Sequence, residues 1–376
     1  VCSSDLSEAV ISRVKLRNTF GSGDHCGPDD FDGDCKETWV AIFAGGYEAD
    51  GDPNRPASYQ GPADAGWNTK TKAIYMVRLD NGAIVAKVGY DATTRPDMKF
   101  SIPSAPAVLD LDFDGFADVV YVGDLGGQVW KWDISAVGED TDADPEIDNW
   151  PAGVFFRTDP VTLASSEQHY RSFFFPPVAS YVRGKLILAF GSGERHNLGY
   201  TGEAGTADEN RFYVAADVDP TGPSAFTTTL TDASLTDVTA LDTDNVPADS
   251  GYRFDLAESE KFVTDITVFA GSVIVGSYTP VANANLCATA SGQSFLHIFN
   301  LATGLGFFAD PADPPSEDRK VYVGGGFPTS PKVTVGTDPD DDTIIIKTSE
   351  GPKLFTIDAP PRTDPSGEFI YWKQQQ

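Results

Sequence analysis

Residues 110–133 read DLDFDGFADVVYVGDLGGQVWKWD, and they contain the two patterns on which the fold prediction depends. The first is an acidic loop, residues 110–118. The second is a pair of short apolar strands, residues 119–122 and 128–132, separated by a Gly-rich turn. β-branched and aromatic residues favour strands, whereas Gly and Asp favour turns. The stretch therefore predicts a β-hairpin that is entered through an acidic loop.

The same hairpin pattern occurs in five imperfect copies along the chain. The strand pairs are residues 39–43 with 73–79, 119–122 with 128–132, 185–190 with 211–216, 273–275 with 294–299, and 343–347 with 353–357. The second strand of each pair ends at an aspartate or asparagine: Asp80, Asp133, Asp217, Asn300 or Asp358. A repeated β-hairpin unit is typical of a propeller. A β-sandwich or a pair of small β domains is the alternative.

We expect an all-β fold, with residues 1–376 forming a single β-propeller domain. At ~45–50 residues per blade the length suits seven blades, or eight. Acidic loop insertions are expected near residues 20–36, 139–149, 199–210 and 217–250. No run approaches the ~20 apolar residues that span a bilayer. Residues 1–10 show no signal peptide, so we expect a fragment whose export signal and N-terminal region lie upstream.

Charge and cysteine content narrow the possible functions. The chain has 27 Lys and Arg against 56 Asp and Glu, a net charge of −29. Phosphate backbones and anionic membrane surfaces would be repelled, so binding to nucleic acid is not expected. Of the four cysteines, Cys26 and Cys35 bracket a short polar loop and are a candidate disulfide, which would indicate an oxidising compartment. There is no Cys-x-x-Cys pair to suggest a zinc ribbon or a redox site.

The acidic loop has the spacing of a shortened EF-hand. Its carboxylates occupy positions one, three, five and nine, and glycine occupies position six. The predicted ligands are the side chains of Asp110, Asp112, Asp114 and Asp118 and the backbone carbonyl of Phe116. Calcium prefers six to eight hard oxygen ligands, whereas magnesium tends to keep its waters. The pattern therefore favours Ca²⁺ over Mg²⁺, and a solvated acidic turn is the alternative.

Other acidic runs and the polar residues give weaker signals. Residues 30–34, 50–52 and 338–342 lack a closing ligand at the proper spacing, so exposed turns are favoured there. The four histidines, His25, His169, His196 and His297, form no metal or catalytic motif. The segment at 191–193 lacks the full Gly-x-Ser-x-Gly pattern. We predict no catalytic site. The aromatic residues Tyr121, Trp130 and Trp132 alternate along strands, and blade packing is favoured for them over a sugar-binding platform.

Residues 110–133 resemble the calcium-loop blade of PilY-type proteins, which are associated with the type IV pilus tip. In that family such a loop leads into a strand, a Gly-Asp-Leu-x-Gly turn and a Trp-containing strand, as here. Similar segments are WVAIFAGGY at 39–47, residues 186–194, residues 257–280, YVGGGFPTSP at 322–331 and the aromatic-Trp-Lys end at 371–373. The resemblance covers most of the chain from residue 39 onward.

The resemblance implies a modified propeller of the quinoprotein-alcohol-dehydrogenase-like kind. It also implies a calcium-dependent role in pilus assembly against retraction, in surface adhesion and in twitching motility. The implied partners are minor pilins and the pilus tip, with a surface or host ligand reached through the upstream region. The implied location is the cell surface, pilus tip or outer membrane of a Gram-negative-type bacterium. By this resemblance, the calcium ligands of the family correspond in this sequence to the same five residues: Asp110, Asp112, Asp114, Phe116 (through its carbonyl) and Asp118.

Two other functions fit the same fold class. A quinone-dependent dehydrogenase would repeat an Ala-x-Asp-x-x-Thr-Gly-x-x-x-Trp motif, and the segments at 79–82 and 301–304 lack its closing Trp. An integrin-α-like or lectin-like propeller would repeat the calcium loop in several blades, and one good copy occurs here. The chain has no Arg-Gly-Asp tripeptide, so integrin-type host adhesion is not supported.

Overall fold

The computed structural model describes residues 7–17, 35–47, 67–141, 146–162, 168–182, 184–195, 209–240, 249–281, 292–306, 319–336, 342–356 and 369–371, with single positions 19, 23, 26, 198, 199, 201 and 247. Regular structure within them is β, apart from a three-residue 3-10 turn, η1 (Asp232–Ser234). Among these residues none belongs to a helix of the length and apolar character that crossing a bilayer requires. The all-β prediction is confirmed.

The strands of the described residues are short, and most of them have two to nine residues. In chain order they are β1 (Val10–Arg17), β2 (Cys35–Ala44), β3 (Ala73–Arg78), β4 (Ile84–Gly89), β5 (Ala107–Leu109), β6 (Val119–Gly123), β7 (Gln128–Asp133), β8 (Ala152–Arg157), β9 (Val161–Thr162), β10 (Gln168–His169), β11 (Val178–Val182), β12 (Lys185–Gly191), β13 (Arg211–Asp217), β14 (Leu230–Thr231), β15 (Thr236–Asp237), β16 (Gly251–Asp255), β17 (Lys261–Phe262), β18 (Thr267–Phe269), β19 (Ser272–Pro280), β20 (Gly292–Asn300), β21 (Lys320–Gly325), β22 (Lys332–Thr334), β23 (Thr343–Thr348), β24 (Gly351–Thr356) and β25 (Phe369–Tyr371).

The chain divides into two compact units. The first comprises Val1–Pro53, Ser58–Thr158 and Asp219–Thr229, and the second comprises Asn54–Ala57, Asp159–Val218 and Leu230–Gln376. That both units belong to the single domain expected for residues 1–376 stays a prediction. The insertion expected at 217–250 contains β14, η1 and β15, so it has short regular elements of its own.

In the first unit, β1 to β4 form one antiparallel sheet in sequence order, and β5 to β8 form a second. Side chains alternate along β2, where Val40 and Ile42 are fully buried and Trp39 is 52% exposed. Every residue of β6 and β7 is buried. Because successive side chains point to opposite faces, both faces of the second sheet are covered along these two strands.

The second unit contains three sheets of three or more strands. In the first, β11, β12, β13 and β16 are antiparallel neighbours, with β15 parallel to β16 at one edge and β25 antiparallel to β11 at the other. In the second, β17, β19, β20 and β21 are neighbours, and β18 also pairs with β19. The third consists of β22, β23 and β24, and β9 pairs with β10 separately.

All five hairpins predicted from the sequence are present as antiparallel pairs. They are β2 with β3, β6 with β7, β12 with β13, β19 with β20, and β23 with β24. Apolar residues face each other across the pairs, as Val120 does with Trp132 and Ile274 with Ile298. Such cross-strand contacts stabilise a sheet and fix its register. The described residues contain five sheets of three or more strands, and the count of seven blades stays a prediction.

The aspartate or asparagine at the end of a second strand organises the next turn. Asp133 Oδ1 accepts a hydrogen bond from the Ser135 N–H at 3.1 Å. Asn300 Oδ1 accepts from the N–H groups of Ala302 at 2.9 Å and Thr303 at 3.1 Å. A side-chain oxygen at these positions satisfies backbone donors that the end of a strand leaves open. This explains why the sequence pattern places Asp or Asn there.

The two units have separate apolar cores. In the first, Val40 of β2 packs into one cluster with Trp130 and Trp132 of β7, and Trp132 meets the Trp150 ring edge-on at 6.0 Å. Tyr121, Trp130 and Trp132 are at most 2% exposed, which confirms their predicted packing role. The core of the second unit is rich in phenylalanine, and the rings at its centre are those of Phe212, Phe254, Phe262 and Phe299.

Cys26 and Cys35 form a disulfide, with Cα atoms 5.5 Å apart. Cys35 is the first residue of β2 and lies opposite Arg17 at the end of β1. The bond therefore ties the segment before β2 to the start of that strand. Cys2 and Cys287 lie outside the described residues.

Candidate metal centre

The acidic loop, residues 110–118, connects β5 to β6 within one sheet of the first unit. Leu109 and Val119 face each other in register at its base. The Asp118 N–H donates to the Leu109 carbonyl at 2.7 Å, and the Asp118 carbonyl accepts from the Ile134 N–H at 2.8 Å. Sheet hydrogen bonds therefore hold both ends of the loop in place.

Within the loop, each carboxylate accepts a hydrogen bond from a backbone N–H. The pairs are Gly115 N with Asp110 Oδ2 (2.8 Å), Asp114 N with Asp112 Oδ1 (3.1 Å), Phe116 N with Asp114 Oδ1 (2.9 Å) and Leu111 N with Asp118 Oδ2 (2.6 Å). Gly115 has φ +90°, and a Cβ at this position would lie 2.1 Å from Arg13 Nη2. The positive φ therefore favours glycine at loop position six, and a side chain there would also displace the end of the Arg13 side chain.

Three of the five predicted ligand residues converge. Asp110, Asp112 and Asp118 each offer a carboxylate oxygen, and these oxygens lie within 4.8 Å of one another. In the described part of the chain this is the one group of three or more His, Cys, Asp or Glu side chains with such geometry. Asp110 Oδ1 is buried and has no hydrogen-bond partner. A buried carboxylate oxygen without a donor is costly, and a hard cation would satisfy it.

The pKa of Asp118 shows the electrostatic cost of this convergence. Burial raises the pKa of Asp118, and the charges of Asp112 and Asp114 raise it further. The Leu111 N–H and the Lys15 ammonium act in the opposite direction but do not cancel the rise. The cluster is thus an arrangement of like charges that a bound cation would relieve.

The fourth predicted carboxylate is directed elsewhere. Asp114 Oδ2 lies 2.6 Å from Lys15 Nζ, so Asp114 forms an ion pair with β1 instead of joining the cluster. Burial by itself raises the pKa of Asp114, but the hydrogen bond and charge of Lys15, with the Phe116 N–H, lower it overall. The side chain of Phe116 is 5% exposed. The role of its backbone carbonyl as a ligand stays a prediction.

Two basic side chains of β1, those of Lys15 and Arg13, therefore belong to the site, and the sequence patterns did not predict either of them. Lys15 pairs with Asp114, and Arg13 Nε donates to the Gly115 carbonyl at 3.0 Å. The Arg13 guanidinium and the Lys15 ammonium also lie 5.0 and 5.2 Å from the centre of the Phe116 ring. The available signal was the alternation of basic residues along β1, which places them on one face of that strand.

The turn after β6 is organised by a second buried carboxylate, Asp124. Its Oδ1 accepts from the N–H groups of Gly126 at 2.8 Å and Gln128 at 3.0 Å. Its Oδ2 accepts from Gln128 Nε2 at 2.9 Å and from Trp130 Nε1 at 2.8 Å. Burial raises the pKa of Asp124 to about 7, although all four N–H groups favour its charged form. The contacts of this carboxylate explain why the sequence has Asp at 124, Gly at 126 and Trp at 130: the last two residues donate hydrogen bonds to the first.

The second unit holds a buried polar network around Glu260, whose side chain is fully buried. Glu260 Oε1 accepts from Ser277 Oγ at 2.5 Å and lies 2.8 Å from His297 Nε2, and Oε2 lies 2.9 Å from Lys320 Nζ. Ser277 Oγ also lies 3.0 Å from His297 Nε2.

The serine and the carboxylate meet the same ring nitrogen of His297. A Ser-His-acid triad needs the two on opposite nitrogens of the ring, so this network lacks that arrangement. The absence of a catalytic site stays a prediction.

The remaining candidates from the sequence fall partly outside the described residues. Residues 30–34 and 50–52 lie outside the described residues, as do His25 and His196. Of residues 338–342 only Asp342 is described, and it is buried and accepts from the Gly336 N–H at 2.9 Å. His169 is buried beside Glu194, with 3.6 Å between Nε2 and Oε1.

Comparison with known proteins agrees with this architecture. The model of the PilY1 beta-propeller domain matches residues 56–246, just over half of the chain. The type IV pilus biogenesis factor PilY1 homolog of Xylella fastidiosa is 24% identical over 359 residues, covering 85% of this chain and 21% of that protein. The crystal structure of the Pseudomonas aeruginosa PilY1 C-terminal domain superposes with a TM-score of 0.52 at 15% identity, covering 86% of this chain and 81% of that one.

The fold class is thus a β-propeller. The chain belongs to the family of PilY1 β-propeller domains. It spans about a fifth of the length of the curated relative it matches.

We expect Asp124→Asn to lower the free energy of unfolding by about 2–4 kcal/mol. Asparagine offers one acceptor oxygen, and its NH₂ group would face two of the four N–H donors that Asp124 now satisfies. Urea denaturation measures the change. Asp97→Asn is the matched control, because that side chain is 49% exposed and has a surface ion pair with Arg157. Equal small effects of the two substitutions would contradict a stabilising role for Asp124.

We expect stability in acid to depend on Glu260. Burial raises its pKa, but the hydrogen bond and charge of His297 and the charge of Lys320 lower it to about 2, below the ordinary 4.5. A carboxyl with a depressed pKa stabilises the fold above pH ~4.5, and this contribution is lost as the pH falls towards 2. The contribution amounts to about 3 kcal/mol.

Glu260→Gln tests this expectation by denaturation at pH 7, 5 and 3. The variant should be less stable than the wild type at pH 7, and the difference should shrink as the pH falls from 5 to 3. Glu258→Gln, at an exposed neighbouring position, is the control and should follow the wild type at each pH. A difference between wild type and Glu260→Gln that is independent of pH would show that the ionised form of Glu260 does not stabilise the unit.

Proposed function

We propose that this chain is the calcium-binding β-propeller of a type IV pilus biogenesis factor. It acts with minor pilins at the pilus tip, favours extension against retraction, and supports surface adhesion and twitching motility. Two observations in this PilY1-family propeller carry the proposal together: carboxylate oxygens of Asp110, Asp112 and Asp118 converge, and Asp110 Oδ1 is buried without a donor.

The ligand chemistry favours calcium over other cations. All the candidate ligand atoms are oxygens, and the cluster contains no His or Cys side chain. Soft transition metals prefer nitrogen and sulfur ligands, whereas Ca²⁺ and Mg²⁺ prefer oxygen. Ca²⁺ accepts an irregular shell of six to eight oxygens, whereas Mg²⁺ demands octahedral geometry and keeps several waters. Carboxylates from one contiguous loop, with a backbone carbonyl, suit the larger and more tolerant ion.

The proposed location is outside the cytoplasm, on the cell surface, at the pilus tip or at the outer membrane. The Cys26–Cys35 disulfide supports an oxidising compartment, because such bonds rarely persist in the cytosol. The relative from Xylella fastidiosa is named as a pilus biogenesis factor, which supports a role in assembly.

We expect calcium to bind this chain with a micromolar dissociation constant, and Asp110→Ala/Asp118→Ala to abolish binding. Isothermal titration calorimetry measures both, with magnesium as a competing titrant. Calcium at a hundred times its dissociation constant should stabilise the wild type by about 2.7 kcal/mol, and thermal melts in calcium and in chelator measure this shift. Removing two ligands should eliminate the shift.

Asp80→Ala/Asp249→Ala is the matched control, because it removes two exposed carboxylates far from the loop in sequence. It should bind calcium like the wild type. Absence of binding to the wild type, or equal binding to the loop variant, would mean that residues 110–118 are only an acidic turn.

The pilus role needs a test in cells. We expect bacteria whose full-length protein carries Asp110→Ala/Asp118→Ala to have fewer surface pili and a smaller twitching zone than the wild type in calcium-containing medium. Quantification of sheared pilin measures the first, and the Asp80→Ala/Asp249→Ala strain is the control. Normal piliation in a variant that no longer binds calcium would separate the calcium site from pilus assembly.

A further inference from the structure

Asp114 differs from the other three carboxylates of the loop. It stands at position five, where an EF-hand-like loop supplies a ligand. Its Oδ1 accepts from the Phe116 N–H, and its Oδ2 lies 2.6 Å from Lys15 Nζ. It is therefore outside the cluster that Asp110, Asp112 and Asp118 form. For Asp114 to contribute Oδ2 to a cation, that oxygen has to leave the lysine.

Lys15 comes from a neighbouring sheet of the same unit. It lies on β1, paired with β2 opposite Glu37, and about a hundred residues separate it from the loop in the sequence. Its side chain is 23% exposed, and that of Asp114 is 34% exposed. A contact shielded in this way is less screened by salt than a pair on the open surface.

We propose that Lys15 sets the cation affinity of the loop by competing for Asp114. The ammonium group occupies Asp114 Oδ2 when no divalent cation is bound, and it has to be displaced before this oxygen becomes a ligand. This inference rests on the calcium binding proposed above. It names a residue outside the loop as the one that tunes the site.

Electrostatics gives the direction of the effect. Four carboxylates in the loop offer a strong attraction for a divalent cation, and one fixed ammonium beside Asp114 offsets part of it. The same ammonium also acts on Asp118, which belongs to the cluster itself. Affinity in loops of this kind depends on the number of charged ligands. Removing the positive charge should therefore tighten binding, whereas removing a structural support should weaken it.

The competition also links the cation to the attachment of β1. Lys15 and Arg13 are two contacts of β1 with the loop, the first through Asp114 and the second through the Gly115 carbonyl. Transfer of Asp114 from Lys15 to a cation breaks the first contact and leaves the second. Cation binding would thereby change the contacts between the first sheet and the loop. An ion that only stabilised the loop would leave these contacts unchanged.

The first test is calcium titration of Lys15→Met and Lys15→Gln by calorimetry. We expect the dissociation constant to fall about tenfold or more, which corresponds to ~1.4 kcal/mol. Lys15→Arg keeps the charge and should stay close to the wild type. Lys87→Met is the matched control, because Lys87 is exposed on β4, at the opposite edge of the same sheet, and the substitution changes the net charge equally. It should leave the dissociation constant unchanged.

The outcomes separate this inference from the proposed function. If the wild type binds no calcium, both fail. If the wild type binds and the Lys15 variants bind equally or more weakly, calcium binding stands and the competition is wrong. Melts of each variant identify any that fails to fold, and Lys15→Gln, which keeps a polar side chain, then supplies the result.

A double-mutant cycle gives an independent measurement. The wild type, Lys15→Met, Asp114→Asn and the double variant are unfolded with urea in chelator and in saturating calcium. The cycle isolates the interaction energy of the two side chains. We expect a favourable interaction in chelator that disappears in calcium. An interaction of the same size in both conditions would show that Asp114 stays with Lys15 when the cation binds.

Discussion

Repulsion between carboxylates held at close range is the constraint that governs the loop between β5 and β6. Sheet hydrogen bonds at Leu109 and Asp118 fix the two ends of the loop. The loop therefore cannot reduce the repulsion by moving its ends apart. Backbone N–H groups stabilise each carboxylate, and Arg13 and Lys15 of β1 contribute positive charge. The loop, although contiguous in sequence, therefore depends on a neighbouring sheet for its shape.

Much of this architecture was predictable because local patterns determine it. The hairpin of β6 and β7 follows from two β-branched and aromatic runs around a Gly-rich turn, and the other four hairpins follow from the same pattern. The carboxylate cluster follows from the spacing of aspartates around Gly115, which permits the turn. In both cases the residues that decide the structure lie within a few positions of each other.

The contribution of Lys15 was not predictable in this way. Its partner Asp114 is about a hundred residues away, and no local pattern specifies which strand lies beside the loop. Glu260 and Lys261 show a second limit. A Glu-Ser-Glu-Lys run is typical of an exposed turn by composition, yet both residues are buried, each with 1% of its surface exposed. Burial became possible only because distant residues such as His297 and Lys320 supply partners for Glu260.

The regular pairing of the two strands at the base of the loop has a consequence for protein engineering. Leu109 and Val119 face each other as ordinary antiparallel neighbours, so residues 109–119 form a cassette that another hairpin of the same register could accept. Such a graft would carry every loop carboxylate but leave Lys15 and Arg13 behind. The transplanted loop would bind a cation without these two basic side chains. The difference in affinity between graft and parent would measure what the neighbouring sheet contributes through β1.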